Sequence, residues 1–390
     1  RGGKLRAVLR GALRLLQSAR LSVRPAVIEV ALGRLTENYR LIREHAGDRP
    51  VMAVVKANAY GHGLVRVAKH YEALGAEWLA VALLEEGIAL RKAGVRRPIL
   101  VFGGHHPTQI PEFLRWDLDL TVGALELLRL VEAFADQHGS PANVHLKLDS
   151  GMGRIGTYTE EAEPLITAAV RSKSVALRGI CSHLACADDP EHPLTPVQIR
   201  RFHEALRVFD DLGEPPPMRH LANSGGVLHF PESHLDCIRP GILLYGVYPD
   251  PASRRMLPVR PALSLRAEVA FVKQIPAGES VSYGATWTAS QPTTLATIPV
   301  GYGDGYRRHL SNQASVLIRG HRFPIRGRVC MDQFLADLGG RSVSLGESAT
   351  LIGEQDTEII TAEELAELCE TIPYEILTGL NERLPRVYQG

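Results

Sequence analysis

The chain has 390 residues, 45% apolar and 22% charged, and its 44 Lys and Arg offset 43 Asp and Glu to a formal net charge of +1. That balance excludes a polyanion binder driven by overall charge, so no nucleic-acid partner is expected. No apolar run reaches 18 residues, so no membrane-spanning helix and no membrane partner are expected either. The length suits two domains of roughly 100–200 residues each, although one β/α barrel alone can use about 250.

The first 24 residues stand apart. They hold Arg1, Lys4, Arg6, Arg10, Arg14, Arg20 and Arg24 and no acid, with Leu5, Leu9, Leu13 and Leu16 at helical spacing. Two readings are open for this basic N-terminal extension, residues 1–24. One is an amphipathic targeting or membrane-surface helix; the other is a frayed terminus or a mis-assigned start. From Val51 to about Gly246 short β-branched runs alternate with amphipathic segments. The runs are Val51–Val55, Trp78–Ala82, Ile99–Phe102, Leu118–Val122, Val144–Leu148, Leu177–Cys181, Met218–Leu221 and Ile242–Tyr245. Between them lie helical stretches such as Leu64–Leu74, Leu84–Ala93, Ala124–Gln137 and Pro196–Leu212. Eight strand–helix units over residues 25–249 predict a closed parallel α/β barrel, with an open doubly wound sheet as the alternative. No G-x-G-x-x-G follows the first run, which weakens a dinucleotide reading.

After Pro249 the texture changes. Asp250–Pro261 is rich in Pro and Arg and reads as a connection. Leu265–Val272, Thr294–Val300, Ala314–Ile318 and Ala349–Ile352 are short, closely spaced apolar runs, with no long helix before Ala362–Glu370. Residues 250–390 therefore predict a mostly β C-terminal domain, whose edge can also receive Val27–Val30. Cys181, Cys186, Cys237, Cys330 and Cys369 form no CxxC or ribbon spacing. Free thiols in a reducing, cytoplasmic compartment are expected, and no metal site.

The first run ends in a lysine, Ala53-Val54-Val55-Lys56-Ala57-Asn58-Ala59-Tyr60-Gly61-His62-Gly63. Buried lysine is costly unless paired or neutral. At the C-terminal mouth of a barrel such a residue reads as catalytic; a side chain snorkelling outward is the plain alternative. Asn143–Ser150 alternates, placing Val144, Leu146 and Leu148 on one face and His145, Lys147 and Asp149 on the other, toward the lumen. A Lys147–Asp149 ion pair is the simple account of that polar face. Asn223-Ser224-Gly225-Gly226 lets backbone approach an anion, or is a plain turn.

Together these segments resemble the alanine racemases, the fold-type III amino-acid racemases that use pyridoxal 5'-phosphate. The likeness runs from Arg24-Pro25 to Arg386-Val387-Tyr388. It takes in the Lys56 segment, His145 to Gly156, His183, Asn223-Ser224, Arg239-Pro240-Gly241-Ile242, Ser282 to Thr286, Gly301 to Gly305 and Cys330-Met331-Asp332-Gln333, in the family's order. The resemblance implies interconversion of L- and D-alanine, supplying D-alanine for peptidoglycan, by two bases on opposite faces of Cα. Lys56 would carry the cofactor and serve the D-enantiomer, and Tyr283 the L-enantiomer. A free tyrosine titrates near pH 10, so Tyr283 needs positive neighbours, for which Arg154, His183 and Arg239 are candidates. On its own residues, Tyr283 also reads as a turn tyrosine.

The resemblance further implies that Arg239 faces the pyridine nitrogen. Tyr60, Ser224, the amides of Gly241 and Ile242, and Tyr374 would hold the phosphate, with His183 and Asn223 beside the cofactor. Arg154 and the Met331 amide would meet the substrate carboxylate, Tyr302 would line the entrance, and Asp332 would support it. Lys147 matches a position that the family often carbamylates to hold Arg154. Gly303 departs from the Ala of many relatives. A homodimer with shared active sites is implied as well. A broader amino-acid racemase acting on serine, for example, is the nearest alternative, and a barrel-fold decarboxylase a further one; the glycine-rich phosphate loop and the Cys-Glu-Ser type motif of the decarboxylases are not found.

Overall fold

A computed structural model describes residues 24–251, 253 and 256–390, which separate into two compact units. The basic stretch 1–23 lies outside the described residues. One unit is the stretch 31–262 with the last two residues; the other joins residues 24–30 to 263–388. Among the described residues no helix is long and apolar enough to cross a membrane.

The first strand, β1 (Ala26–Ala31), enters the sheet of the second unit. The first unit is built on β2 (Met52–Val54), β3 (Trp78–Val81), β4 (Ile99–Val101), β5 (Asp119–Val122), β6 (Ala142–Asp149), the short β7 (Thr157–Tyr158), β8 (Val175–Cys181) and β9 (Met218–His220). All pair in parallel, in the order β2-β3-β4-β5-β6-β8-β9, with β7 beside the end of β6. Strands buried on both faces read as continuous apolar runs, which is why β2 and β4 show no alternation, whereas β5 alternates Asp119 and Thr121 with Leu120 and Val122.

The sheet closes through residues 236–240. The amides of Asp236 and Arg239 donate to Arg219 and Ala222 on one side, and those of Met52 and Val54 donate to Ile238 and Pro240 on the other. The eighth strand is therefore this segment and not Ile242–Tyr245, which is a buried 3-10 helix. Four consecutive apolar residues carry no periodicity to distinguish the two. Outer helices bury one stripe: Leu125–His138 buries Leu128, Val131 and Ala135 and stops at Gly139 with φ 80°. Leu194–Leu212 buries Ile199, Phe202, Ala205, Leu206 and Phe209.

The second unit is antiparallel. Its strands are β10 (Leu263–Glu268), β11 (Phe271–Ile275), β12 (Ser280–Val281), β13 (Trp287–Thr288), β14 (Thr293–Ile298), β15 (Ser315–Ile318), β16 (His321–Arg326), β17 (Phe334–Gly339), β18 (Ser348–Gln355), β19 (Glu358–Ile360) and β20 (Arg386–Gln389). The main sheet runs β11-β14-β17-β16-β15-β18-β10-β1-β20, with β19 on β18, and β12 and β13 form a separate hairpin. β1 alternates inward Ala26, Ile28 and Val30 with more exposed residues, as a half-covered antiparallel strand should. It is not the edge expected from Val27–Val30, because β20 pairs outside it. All five cysteines are free.

Candidate active site

In the barrel unit the site starts where β2 ends. Lys56 is followed by Ala57, Asn58, Ala59 and Tyr60, with φ of 52°, 54°, 53° and 51°: a full turn of left-handed helix without a glycine. Each such residue costs about 1–2 kcal/mol, with Asn the most tolerant. Surrounding contacts hold it. The Ala57 amide donates to Glu86 Oε1 at 2.6 Å, and Asn58 accepts the Gly63 amide on its carbonyl and the Leu64 amide on Oδ1, both at 2.8 Å. The Tyr60 ring packs on Tyr245, centroids 4.9 Å apart. Strain kept by so many constraints marks a functional position.

Burial, and then the charge of Arg154, push the Lys56 amine below its usual range, against a smaller opposing pull from Glu86. Burial does the same to Lys147, whose Nζ donates to the Leu148 carbonyl at 2.7 Å. The expected Lys147–Asp149 pair does not form: Asp149 Oδ1 accepts the amides of Gly151 and Met152 at 2.9 and 2.8 Å. Burial, and then the basic groups of Arg239, Lys147, Arg154 and Lys56, push the His183 imidazole well below its usual range. These four sequence-predicted basic side chains all act on one imidazole, although Arg154 itself stands on an exposed loop.

Opposite them lies a cradle. Ser224 starts helix Ser224–His229, and its Oγ accepts the Gly241 and Leu243 amides at 2.9 and 3.4 Å. A side chain at Gly241 would strike the Tyr60 hydroxyl, and one at Gly225 the Ala187 carbonyl. Ile242 opens the 3-10 helix; the first amides of any helix lack acceptors within it. Asn223 stands at the N-cap of the same helix. Its Oδ1 accepts the Gly226 amide at 2.9 Å and its Nδ2 donates to the Leu184 carbonyl at 3.2 Å, which fixes the start of the helix that Ser224 opens. A buried amine held below its usual range, basic neighbours, hydroxyls from Tyr60 and Ser224 and two helix starts fit a phosphorylated aldehyde.

Arg239, buried, leads into a chain of residues that sequence reasoning missed. Its NH1 donates to His220 Nδ1 at 2.8 Å; its NH2 donates to the Ser182 and Leu221 carbonyls at 2.7 and 3.0 Å. Because arginine only donates, His220 Nδ1 accepts and its proton sits on Nε2. That nitrogen meets His145 Nδ1 at 2.8 Å, and His145 Nε2 meets Asp119 Oδ2 at 3.2 Å. Both rings are held neutral, chiefly by burial. The relay ends at Arg178, 3.8 Å from Asp119 Oδ1. The alternation of β6 was the available signal for His145, and the polar Asp119 and Thr121 inside the apolar run Leu118–Val122 were a similar signal for Asp119.

The β unit holds the other candidates. Tyr283 is 74% exposed and follows Ser282, whose φ of 62° is unusual for a residue with a side chain. Ser282 Oγ donates to the Arg328 carbonyl at 2.9 Å and lies 3.4 Å from Cys330 Sγ, which ties this turn to the Cys330–Gln333 loop. Tyr302 and Met331 are also exposed, and the Tyr302 and Gly303 amides donate to the Cys330 and Met331 carbonyls at 2.9 and 2.8 Å. Asp332 accepts from Arg383 NH2 at 2.5 Å. Tyr374 sits on helix Pro373–Gly379, which the Arg307–Glu375 ion pair (2.9 Å) ties to the stretch just after Tyr302.

Comparison with known proteins follows this division. Residues 30–249 match the family described as alanine racemase, N-terminal domain, and residues 262–388 its C-terminal domain. The chain is 42% identical to an alanine racemase of Carboxydothermus hydrogenoformans over 94% of its length and 100% of that protein. It is 44% identical to one of Beutenbergia cavernae, over 94% and 98% of the two chains. Among solved structures, alanine racemase from Streptomyces lavendulae superposes with a TM-score of 0.90 at 38% identity, covering 94% of this chain and 97% of that one. The Bacillus anthracis alanine racemase with bound L-Ala-P gives 0.89 at 38% identity, over 95% and 96%.

Proposed function

Because the chain belongs to the alanine racemase family, it is a pyridoxal-phosphate-dependent racemase interconverting L- and D-alanine, and we propose that Lys56 and Tyr283 are its two bases. The carrying observation is Lys56 itself: an amine at the end of a buried strand, driven toward its neutral form and aimed by a left-handed turn. Bound pyridoxal phosphate supplies an aldehyde that captures amines and a conjugated ring that delocalises charge left on Cα. Lys56 would hold the group through its Nζ, and that amine, when free, would accept or return the proton on the face of Cα that carries hydrogen in the D-enantiomer. The Tyr283 hydroxyl does so on the other face. Arg239, fixed by His220 and two carbonyls, would hold the ring nitrogen as a hydrogen-bond donor; because arginine keeps its proton, the group would supply a weaker electron sink there, with fewer side reactions.

Tyr60, Ser224, Gly241, Ile242 and Tyr374 hold the phosphate, with His183 beside the ring; Arg154 and the Met331 amide hold the substrate carboxylate, and Tyr302 lines the entrance. Lys147, buried and with its amine pushed below its usual range, is a suitable amine for carbamylation, which would give Arg154 an anionic partner. The enzyme is assigned to the cytoplasm, where five free thiols suit a reducing compartment, and to the supply of D-alanine for peptidoglycan. Family membership favours a homodimer with shared sites, in which the exposed Tyr283 of one protomer serves the partner's Lys56.

Borohydride reduction of the holoenzyme followed by peptide mapping should place the pyridoxyl group on Lys56, and a chiral assay over alanine, serine and other amino acids should show alanine preferred. Label on another lysine would overturn the assignment. Mixing inactive Lys56→Ala and Tyr283→Ala chains should restore activity at one of the two sites of each heterodimer; heterodimers without activity would refute the shared site.

A further inference from the structure

The loop Gly301–Gly305 carries Tyr302, and Cys330–Asp332 carries Met331. Their backbones are already at hydrogen-bonding distance, Gly303 N–H to Met331 O, 2.8 Å. A third segment clamps both. Asn381 donates from Nδ2 to the Gly303 carbonyl at 2.8 Å and from its amide to the Asp304 carbonyl at 3.2 Å, and its Oδ1 accepts the Arg383 amide at 3.0 Å. Arg383 then reaches across: Nε lies 3.3 Å from Asp304 Oδ1, while NH2 donates to Asp332 Oδ1.

Asp304 is the fixed point. Its side chain is fully buried, ion-paired to Arg24 NH2 at 2.6 Å and accepting the Gly301 amide at 3.0 Å. A buried carboxylate must keep such partners. Asp332, by contrast, is exposed, and an exposed pair with a free-swinging arginine would contribute little. Arg383 is not free-swinging, because Asp304 and the Asn381 turn hold it, and so its grip on Asp332 sets the residue next to Met331.

Space closes the argument. A side-chain carbon at Gly303 would run into the Arg383 guanidinium and lie 2.9 Å from the Met331 carbonyl oxygen and 3.2 Å from its Cγ. Gly303 is not among the residues with positive φ, so bulk, not backbone conformation, bars a side chain there. We propose that Arg383 is a positioning residue that sets the Met331 amide against the substrate carboxylate, and that Gly303 is the vacancy that lets it do so. This inference rests on the reading of Met331 as a carboxylate donor.

The test is steady-state kinetics of the holoenzyme with alanine for Gly303→Ala, Arg383→Ala and their double variant, with cofactor absorbance and thermal unfolding followed alongside. A displaced amide weakens a hydrogen bond to a charged group, so each single change should raise KM roughly tenfold with a much smaller change in kcat. The double variant should be no worse than the worse single, because the two lesions act through one contact. Asp332→Asn, which adds no volume, should raise KM in the parent and have no effect in the Arg383→Ala background. A merely structural role would instead lower kcat, cofactor absorbance and thermal stability together. An unchanged KM in Gly303→Ala and Asp332→Asn, or effects that multiply in the double variant, would overturn the proposal. Met331→Pro, which removes the amide hydrogen, separates the two failures. If it raises KM while Gly303→Ala and Asp332→Asn do not, the positioning role fails alone; if it leaves KM unchanged, the carboxylate-donor reading fails and takes the proposal with it.

Discussion

Replacing Asp119 tests the buried relay behind Arg239. Asp119 accepts the Nε2 proton of His145 at 3.2 Å, and both residues are cut off from solvent. Asp119→Ala leaves that proton without an acceptor, which costs about 1–3 kcal/mol. Losing the 3.8 Å pair to Arg178 adds little, because Arg178 is 40% exposed. Near 2 kcal/mol, and for a unit of this size, the melting temperature should fall by about 4–8 °C. Asp119→Asn keeps a carbonyl acceptor in place and should lose less than half of that. The loosened His145 no longer fixes His220, so Arg239 loses its orientation, and kcat should fall more than KM rises. Calorimetry of the holoenzyme with a chiral rate assay reads both effects. A melting temperature unchanged by Asp119→Ala, or equal losses from Ala and Asn, would refute the single-direction relay from Arg239 to Asp119.

Asn223→Ala removes a helix cap and should destabilise the protein by about 1 kcal/mol; through Ser224 it should also weaken cofactor retention, measured by dialysis against buffer, while Asn223→Asp should retain most of it. Lys56 gives a pH prediction whose sign follows from its lowered pKa. Between the folded and the ordinary value the unfolded chain binds more protons than the native apoenzyme, so apoenzyme stability should rise with pH through that window. The rate of cofactor capture should rise with pH through the folded pKa and level off below the range of a free lysine, and a plateau only at the free-lysine value would contradict the burial argument.

Much of this site is written in local pattern. Val51–Val55 is too apolar for its lysine to be ordinary, and β6 alternates cleanly enough to aim His145 and Lys147 inward. The turn after Lys56 was not legible, because Ala57, Ala59 and Tyr60 all prefer right-handed backbone and only Asn58 hints otherwise; contacts from Glu86 and Tyr245 override the preference. Ile242–Tyr245 misled because a buried run looks alike as strand or 3-10 helix. The strand that closes the barrel, around Ile238, mixes Cys, Arg and Pro, and it is recognisable only from its two neighbours. Asp304 escaped notice for a related reason: its partners Arg24 and Arg383 are 280 and 79 positions away, and only the folded sheet unites them.

The central claim is chemistry on two faces of Cα by two different residues, and proton exchange into alanine from heavy water measures it directly. Tyr283→Phe should keep the cofactor attached to Lys56 and abolish racemisation. Deuterium should still enter the Cα of D-alanine through Lys56, while entry into L-alanine should be nearly lost. Undiminished exchange from both enantiomers in Tyr283→Phe would contradict the two-base account.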